Sequence, residues 1–286
     1  MKSSQSRLYR DVEALTSIRP YRNFRNPDSL AAAVSYIREE WRAIGYQTRE
    51  QPWDAQGEEY VNLLASYQAE KEQKLIIGAH YDVCGDQEGA DDNASAVAGL
   101  LETARLIATH QPDLDFGIEF VAYCLEEPPF FDTEYMGSYV HAQSLQENQI
   151  DVLGMICYEM IGYFSDEPDS QHFPSQALAQ HYPDTGNFII LVGVERFRKF
   201  HQQLYTGMCQ GSEIDVQQIV FPIANELATL SDHKNYWEFG FPAVMINDTS
   251  FLRNPNYHEV TDTIETLDFA KMKAVVDATY QGILAL

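Results

Sequence analysis

Basic residues are scarce in this sequence. Its 286 residues include 19 Lys and Arg against 43 Asp and Glu, which gives a formal net charge of −24. A protein of that charge repels nucleic acid and anionic membrane surfaces. No apolar run approaches the ~20 residues that a membrane-spanning helix needs. We therefore expect neither nucleic acid nor a membrane among the partners of this protein.

Cysteine is also scarce, and the four residues form no Cys-x-x-Cys pair. They are Cys84, Cys124, Cys157 and Cys209. Their wide spacing assigns no pairing, and we predict buried free thiols in a reducing compartment, hence a cytoplasmic protein. The N-terminal stretch MKSSQSRLYR lacks the apolar segment of a signal peptide. A secreted protein stays the alternative if a leader peptide was removed.

Apolar residues are ample, at 45% of the chain with 12% aromatic, which suffices for a sizeable core. Strand-like apolar runs alternate with helical patterns, as is typical of an α/β protein with a three-layer α/β/α sandwich and a mixed, mainly parallel central sheet. We find no linker and predict a single domain over residues 1–286. Strands are predicted at 47–53, 61–67, 75–80, 117–125, 152–158, 187–194 and 242–247, and the main helices at 7–18, 27–44, 95–109, 135–146, 195–205 and 267–284.

Polar residues follow several predicted strands at the point where each strand ends. LIIGA leads into His80, FVAYCL into Glu126–Glu127, and MICY into Glu159. In an open α/β sheet, ligands bind beyond the carboxyl ends of the strands. We therefore expect these side chains to converge at one edge, together with Asp91–Asn93 and Tyr257–His258.

Carboxylates and imidazoles that converge in this way repel one another or lose hydration unless a cation neutralises them. Mixed His and carboxylate ligands suit Zn²⁺, with Co²⁺ or Mn²⁺ as substitutes. A shared carboxylate suits a two-metal site, with metals ~3.5–4 Å apart. One further carboxylate would then serve as general base. Two His and three carboxylates as ligands, with one Glu remaining, fit this chemistry.

Five motifs between residues 75 and 268 resemble, in order and spacing, the co-catalytic two-zinc aminopeptidases. These form metallopeptidase family twenty-eight, which also includes glutamate carboxypeptidase and the animal-type glutaminyl cyclases. The motifs are His80-Tyr81-Asp82, Gly89–Ser95 (GADDNAS), Glu126-Glu127, Glu159–Gly162 (EMIG), and Tyr257-His258 with Asp262-Thr263. The resemblance implies a zinc-dependent exopeptidase, and in the first place an aminopeptidase, that acts on a peptide or aminoacyl substrate.

The resemblance also implies a set of metal ligands, with two Zn²⁺ ions per chain. His80 and Glu159 would bind one metal, and Glu127 and His258 would bind the other. Asp92 would bridge the two metals. Many relatives have Asp where this chain has Glu159, so the first metal site is expected to be shifted or weaker.

The remaining roles follow from the same resemblance. Glu126 would be the base that takes a proton from the attacking water and passes it to the leaving amine. Tyr257 would help to stabilise the oxyanion. Asp82 would accept a hydrogen bond from the second ring nitrogen of His80 and fix its tautomer. Relatives also have a cis peptide bond after the bridging residue, which predicts one between Asp92 and Asn93.

Several interpretations stay open at this stage. Asp91 is predicted to be a helix N-cap rather than a metal ligand. Ser231–His233 can begin a helix or lie near the pocket. The walls of the substrate pocket are expected to come from residues 163–186 and from Phe130, Phe131 and Phe251. The preferred substrate side chain and the oligomeric state cannot be deduced.

Two other functions also fit the resemblance. A glutaminyl cyclase would keep one working zinc and usually carries Trp before the last His, whereas this chain has Tyr257 there and an acidic residue at 159. A non-catalytic binding module of the same fold would have lost ligands, and none is lost here. The metal content of the purified protein, at two, one or no ions per chain, separates the three functions.

Overall fold

The computed structural model describes residues 2–286 and contains an eight-stranded mixed sheet. The strands, β1 to β8 in chain order, are Thr48–Ala55, Glu58–Tyr67, Gln73–His80, Gly117–Tyr123, Asp151–Glu159, Phe188–Val194, Asp215–Phe221 and Ala243–Asn247. The helices, α1 to α8, are Gln5–Thr16, Pro27–Ala43, Ala96–His110, Gly137–Glu147, Gln176–Ala179, Arg198–Met208, His233–Glu238 and Phe269–Leu284. The predicted α/β/α architecture is confirmed.

The order of strands across the sheet is β1-β2-β4-β3-β5-β8-β6-β7. The four adjacent strands β4, β3, β5 and β8 are parallel. On one side, β2 is antiparallel to β4, and β1 is antiparallel to β2. On the other side, β6 is antiparallel to β8, and β7 is parallel to β6. Parallel neighbours end at the same edge of a sheet. The topology therefore brings together the segments that follow β3, β4, β5 and β8.

The sheet is buried on both faces. Successive residues of the central strand β3 point to opposite sides, so that Ile76 and Ile77 belong to two different hydrophobic cores. The core around Ile77 includes side chains of α1, α2, α3, α6 and α8, and the core around Ile76 includes side chains of α4 and α7. The continuous apolar runs of β3, β4 and β5 are explained by this burial on both faces.

All seven predicted strands are present with small shifts of their ends, but the sequence analysis missed β7. Its sequence, DVQQIVF, has polar residues in its middle, and most of its side chains are only half-buried because it lies at the edge of the sheet. An edge strand needs no continuous apolar run, so its pattern was not distinctive. The short helix α5 was likewise not predicted.

The four cysteines are free, as predicted. Cys124 and Cys157 are buried as predicted, whereas Cys84 is half-buried and the prediction of burial is wrong for Cys209, which is exposed. Within residues 2–286, no helix combines the length and the apolar character required to cross a membrane.

Candidate metal centre

The first cluster of polar side chains is arranged around His80, the last residue of β3. Its Nε2 atom lies 3.3 Å from Glu159 Oε2, 3.4 Å from Asp92 Oδ1 and 3.7 Å from Glu126 Oε2. The sheet topology supplies three of these residues, because His80 and Glu159 end the parallel strands β3 and β5 and Glu126 follows β4. The fourth, Asp92, lies in the irregular turn Ala90–Ser95 that leads into α3.

The second cluster is arranged around His258, in the loop before α8. Its Nε2 atom lies 3.0 Å from Asp92 Oδ2 and 3.4 Å from Glu127 Oε2. Asp92 thus directs one carboxylate oxygen toward each histidine. The structure brings together all the residues for which the sequence predicted a metal-binding or general-base role, and it groups His80 with Glu159 and His258 with Glu127.

These clusters are short of positive charge. The four carboxylates are almost fully buried beside two imidazoles, and both His80 Nε2 and Glu127 Oε1 lack a hydrogen-bond partner. Burial raises the pKa of Glu127 to about 8, with the charge of Asp92 adding to the effect. Burial also raises the pKa of Glu126 and that of Glu159. Such carboxylates retain protons unless a cation replaces them, so the residues present fit divalent metal ions.

For the two histidines and Asp92, the neighbouring charges shift the pKa so that the charged form of each side chain is favoured. Although burial opposes it, the rings of His258 and His80 hold the pKa of Asp92 well below its ordinary value. Burial likewise disfavours a charged imidazole, yet the surrounding carboxylates raise the pKa of both rings. The carboxylates around each ring therefore favour a positive charge there, and a bound divalent ion can supply it in place of the ring proton.

Asp92 is held in position by contacts that the sequence analysis did not foresee. The two carboxylate oxygens of Asp262 accept the backbone N–H groups of Asp91 at 2.9 Å and of Asp92 at 3.1 Å. The peptide bond between Asp92 and Asn93 is cis, as predicted. The Oδ1 atom of Asn93 accepts the N–H of Met160 at 2.9 Å, which ties this turn to the end of β5.

Asp91 was interpreted as a possible helix cap, and this was wrong. Its Oδ1 atom accepts the Gly162 N–H at 2.9 Å and the Ser95 hydroxyl at 3.2 Å, and its Oδ2 atom accepts the Asn254 amide at 2.7 Å. These partners come from three segments that surround the site. Asp91 therefore links the loops that carry the clusters.

Asp82 connects His80 to the segment after β4. Nδ1 of His80 lies 3.2 Å from the backbone oxygen of Asp82 and 3.5 Å from its carboxylate Oδ1. The carboxylate also accepts the N–H groups of Glu126 at 3.2 Å and of Glu127 at 3.1 Å. The predicted acceptor for the His80 ring, the Asp82 carboxylate, is thus the more distant of the two oxygens, and the hydrogen bond runs to the backbone oxygen instead. The contacts with Glu126 and Glu127 were not predicted.

Replacing Asp82 by Ala should weaken metal binding ~10–100-fold, as is typical when an outer hydrogen-bond partner of metal ligands is lost. The reason is that His80, Glu126 and Glu127 would lose a common support. A titration with metal buffers measures the affinity, and Asp113→Ala, at an exposed site, serves as the control. Unchanged affinity would mean that the Asp82 backbone oxygen alone orients His80.

Glu159 is contacted by the segment Ser231–His233, which the sequence placed either at the start of a helix or near the pocket. The hydroxyl of Ser231 donates to Glu159 Oε2 at 2.6 Å. The adjacent Asp232 is fully buried, and neither of its carboxylate oxygens has a hydrogen-bond partner. Burial raises the pKa of Asp232 to about 7. The segment Ser231–His233 therefore both supports the first cluster and begins α7.

Three residues at the site have a left-handed backbone, which side chains other than glycine adopt at a cost. Leu125 precedes the two glutamates and has φ 63°, Met160 follows Glu159 and has φ 46°, and His258 has φ 58°. Backbone conformations of this kind are concentrated at functional sites. They direct the side chains of three separate segments toward one point.

An apolar pocket opens above the two clusters. Asp92, Glu126, Glu127, Glu159, Tyr257 and His258 form one end of it. Its walls include Phe131, Phe173, Leu178, Tyr182, Ile190, Val192, Ile219, Phe221, Leu227, Leu230, Met245 and Phe251. The prediction for residues 163–186, Phe131 and Phe251 is thus confirmed. The prediction for Phe130 was wrong, because this side chain is buried against Phe24, Tyr60 and Tyr135.

Residues 62–282 match the sequence profile of Peptidase family M28. The chain belongs to this family. The recognition made from the five motifs is therefore correct, and membership supports a peptidase-like hydrolase. Metal dependence is typical of M28 proteins, in agreement with the groups of candidate metal ligands described above.

Two relatives extend the comparison at the level of sequence. Uncharacterized protein YfbL of Escherichia coli (strain K12) is 40% identical, over 99% of this chain and 88% of its own length. Leucine aminopeptidase 1 of Blastomyces gilchristii (strain SLH14081) is 24% identical over 78% of this chain. The match covers 54% of the fungal protein, so the chain spans about half the length of that relative.

Two solved structures share the fold. The LapA aminopeptidase of Legionella pneumophila has a TM-score of 0.77 at 20% identity, over 99% of this chain and 72% of its own. The glutaminyl cyclase of Bacteroides thetaiotaomicron has a TM-score of 0.75 at 18% identity, over 99% and 98% of the two chains. The same architecture thus occurs in an aminopeptidase and in a glutaminyl cyclase.

Proposed function

We propose that this protein is a zinc-dependent aminopeptidase that hydrolyses the N-terminal residue from peptides. One observation carries the proposal: Asp92 directs its two oxygens toward two separate His–Glu pairs at the end of an apolar pocket. His80 and Glu159 would hold one ion, His258 and Glu127 the other, and Asp92 both. When bound, Zn²⁺ would lower the pKa of water and polarise the scissile carbonyl.

Glu126 is the proposed general base. It lies beside the first cluster, and its backbone N–H is fixed by Asp82. Burial, together with the neighbouring charges of Glu159 and Glu127, raises its pKa well above the ordinary value, against the opposing effect of His80. A carboxylate with a raised pKa is a stronger base and can return the proton to the leaving amine.

Tyr257 is the proposed donor to the oxyanion. Its ring stacks on His258 with centroids 3.8 Å apart, and it lines the pocket next to the carboxylates. Burial and the charges of Asp92 and Glu127 raise its pKa, so the phenol keeps its proton at neutral pH and can donate a hydrogen bond.

The charge of the pocket favours the amino end of a peptide as substrate. The described residues that line it include four carboxylates and neither Lys nor Arg. A substrate α-ammonium can hydrogen-bond to a carboxylate there, whereas a C-terminal carboxylate would find no Lys or Arg to pair with. This supports an aminopeptidase over a carboxypeptidase.

The apolar walls should select large apolar residues at the substrate N-terminus. One methylene in such a pocket is worth about 1–3 kcal/mol. We therefore expect kcat/KM for a leucyl chromogenic amide to exceed that for the alanyl amide by at least ~10-fold. A screen of aminoacyl amides, with and without chelator, measures this preference and its dependence on metal.

Leu227→Asp should reduce that preference, because it places a charge in the wall of the pocket. The expected loss in kcat/KM for the leucyl amide is at least ~10-fold, with a smaller effect on the alanyl amide. Ile223→Asp is the matched control, since Ile223 is 72% exposed and does not line the pocket. Equal losses on both substrates would place the substrate side chain elsewhere.

Glutaminyl cyclase is the second candidate, because a cyclase shares the fold over 99% of this chain. Such an enzyme would release ammonia from a peptide with N-terminal glutamine, without water as nucleophile. Ammonia release in the absence of aminoacyl-amide hydrolysis would favour the cyclase. Amide hydrolysis without cyclisation would favour the aminopeptidase.

A further inference from the structure

Cys84 lies next to the second cluster, although neither the sequence analysis nor the proposed function gives it a role. Its Sγ atom, a ring nitrogen of His258 and a carboxylate oxygen of Glu127 all lie within 4.8 Å of one another. Ligand atoms of a tetrahedral zinc are roughly 3.5 Å apart, given Zn–S of ~2.3 Å and Zn–N of ~2.0 Å. A small adjustment would therefore place all three on one ion.

The backbone around Cys84 is fixed on both sides. The N–H of Val83 donates to the backbone oxygen of Arg22 at 3.0 Å, and the Asn23 amide donates to the backbone oxygen of Gly85. Arg22 is itself buried, and its guanidinium donates to the backbone oxygens of Tyr81 at 3.0 Å and of Glu88 at 2.9 Å. The sulfur atom thus belongs to a loop anchored immediately before and after it.

A second observation at the same place points to a ligand. Glu127 is 4% exposed, and its Oε1 atom has no hydrogen-bond partner. A buried carboxylate oxygen without a partner is costly, and a cation between Glu127, His258 and Cys84 would satisfy it. Thiolate and imidazole are ligands that zinc accepts readily.

We propose that the Cys84 thiolate is a ligand of the ion held by Glu127 and His258, with the thiol proton released on binding. The inference rests on the metal centre of the proposed function. With Asp92, four side chains of this chain would then hold this ion.

Glu126, the proposed base, belongs to the His80 and Glu159 group and not to the Cys84 group. The ion bound by Cys84 would hold Asp92 and the surrounding loops in place, and its sulfur ligand would favour zinc over harder cations such as Mn²⁺.

The test uses the full chain with Cys209→Ser as parent, which removes the exposed thiol and leaves Cys84 as the accessible one. Loaded with Co²⁺, the parent should show a thiolate-to-cobalt charge-transfer band in the near ultraviolet. The double variant that also carries Cys84→Ser should lack this band. It should also bind one zinc at least ~10-fold more weakly, the lower end for loss even of an outer-shell partner.

A second measurement needs no change at position 84. Zinc should slow labelling of Cys84 in the parent by a thiol reagent, and chelation should restore it. If the cobalt-loaded parent hydrolyses aminoacyl amides but shows no charge-transfer band, Cys84 is not a ligand and the proposed function stands. If zinc leaves the labelling rate unchanged, the ligation is likewise overturned. A parent that binds neither cobalt nor zinc would overturn both proposals.

Discussion

Glu126→Gln is expected to lower turnover by at least ~10²-fold, the low end for loss of a general base. Glutamine keeps the shape of the side chain and the backbone contact with Asp82, but it cannot accept the proton of the attacking water. Metal content should be unchanged, because Glu126 is not among the proposed ligands. Turnover on a leucyl amide and metal analysis of the same sample measure both quantities.

The control for this variant is Glu134→Gln, at an exposed position in the segment between β4 and α4. It should retain normal turnover and metal content. Near-normal turnover of Glu126→Gln would remove Glu126 from the role of base. Loss of metal in that variant would instead identify Glu126 as a ligand, which its position 3.7 Å from His80 Nε2 would allow after a small movement.

Removal of metal is expected to abolish activity and to lower the melting temperature. The proposed ligands come from distant parts of the chain and meet only in the folded state, so metal stabilises that state by linkage. At a free metal concentration of 100 times Kd, the stabilisation is about 2.7 kcal/mol for each site. Thermal melts and amide hydrolysis, measured before and after chelation, test this expectation.

Zn²⁺ or Co²⁺ added to the chelated protein should restore both activity and melting temperature. His80→Ala and His258→Ala provide the internal controls, since each should reduce the metal content from two ions to one by emptying a different site. Full activity after complete chelation would refute the proposed chemistry. Two ions retained in either variant would refute the assignment of that histidine.

The sequence predicted the fold and the main side chains of the site for a clear physical reason. Long apolar runs predict strands buried on both faces, and parallel strands end at a common edge. His80, Glu126–Glu127 and Glu159 directly follow or end such strands, so their convergence follows from the topology of β3, β4 and β5. Asp92 and His258 lie in loops, and the resemblance between motifs was needed to assign each of them to a particular metal.

Prediction from the sequence failed where the structure of a segment depends on its neighbours in the fold rather than on the segment's own sequence pattern. The edge strand β7 is half-exposed with polar residues in its middle, which gives it no distinct period. Phe130 and Phe131 are adjacent and alike, yet one is buried among aromatic residues and the other lines the pocket. The direction of a loop side chain is decided by packing, and the amino-acid type does not reveal it.

The sequence by itself thus determined the α/β/α architecture and a concentration of histidines and carboxylates at the carboxyl edge of the sheet. Tertiary structure alone placed Cys84 beside His258, Asp262 beneath Asp92 and Ser231 against Glu159. Each of these pairs joins segments that are far apart in the chain. Strand order and hydrophobic period can be deduced from local pattern, whereas a contact between two loops depends on how both are anchored to the folded sheet.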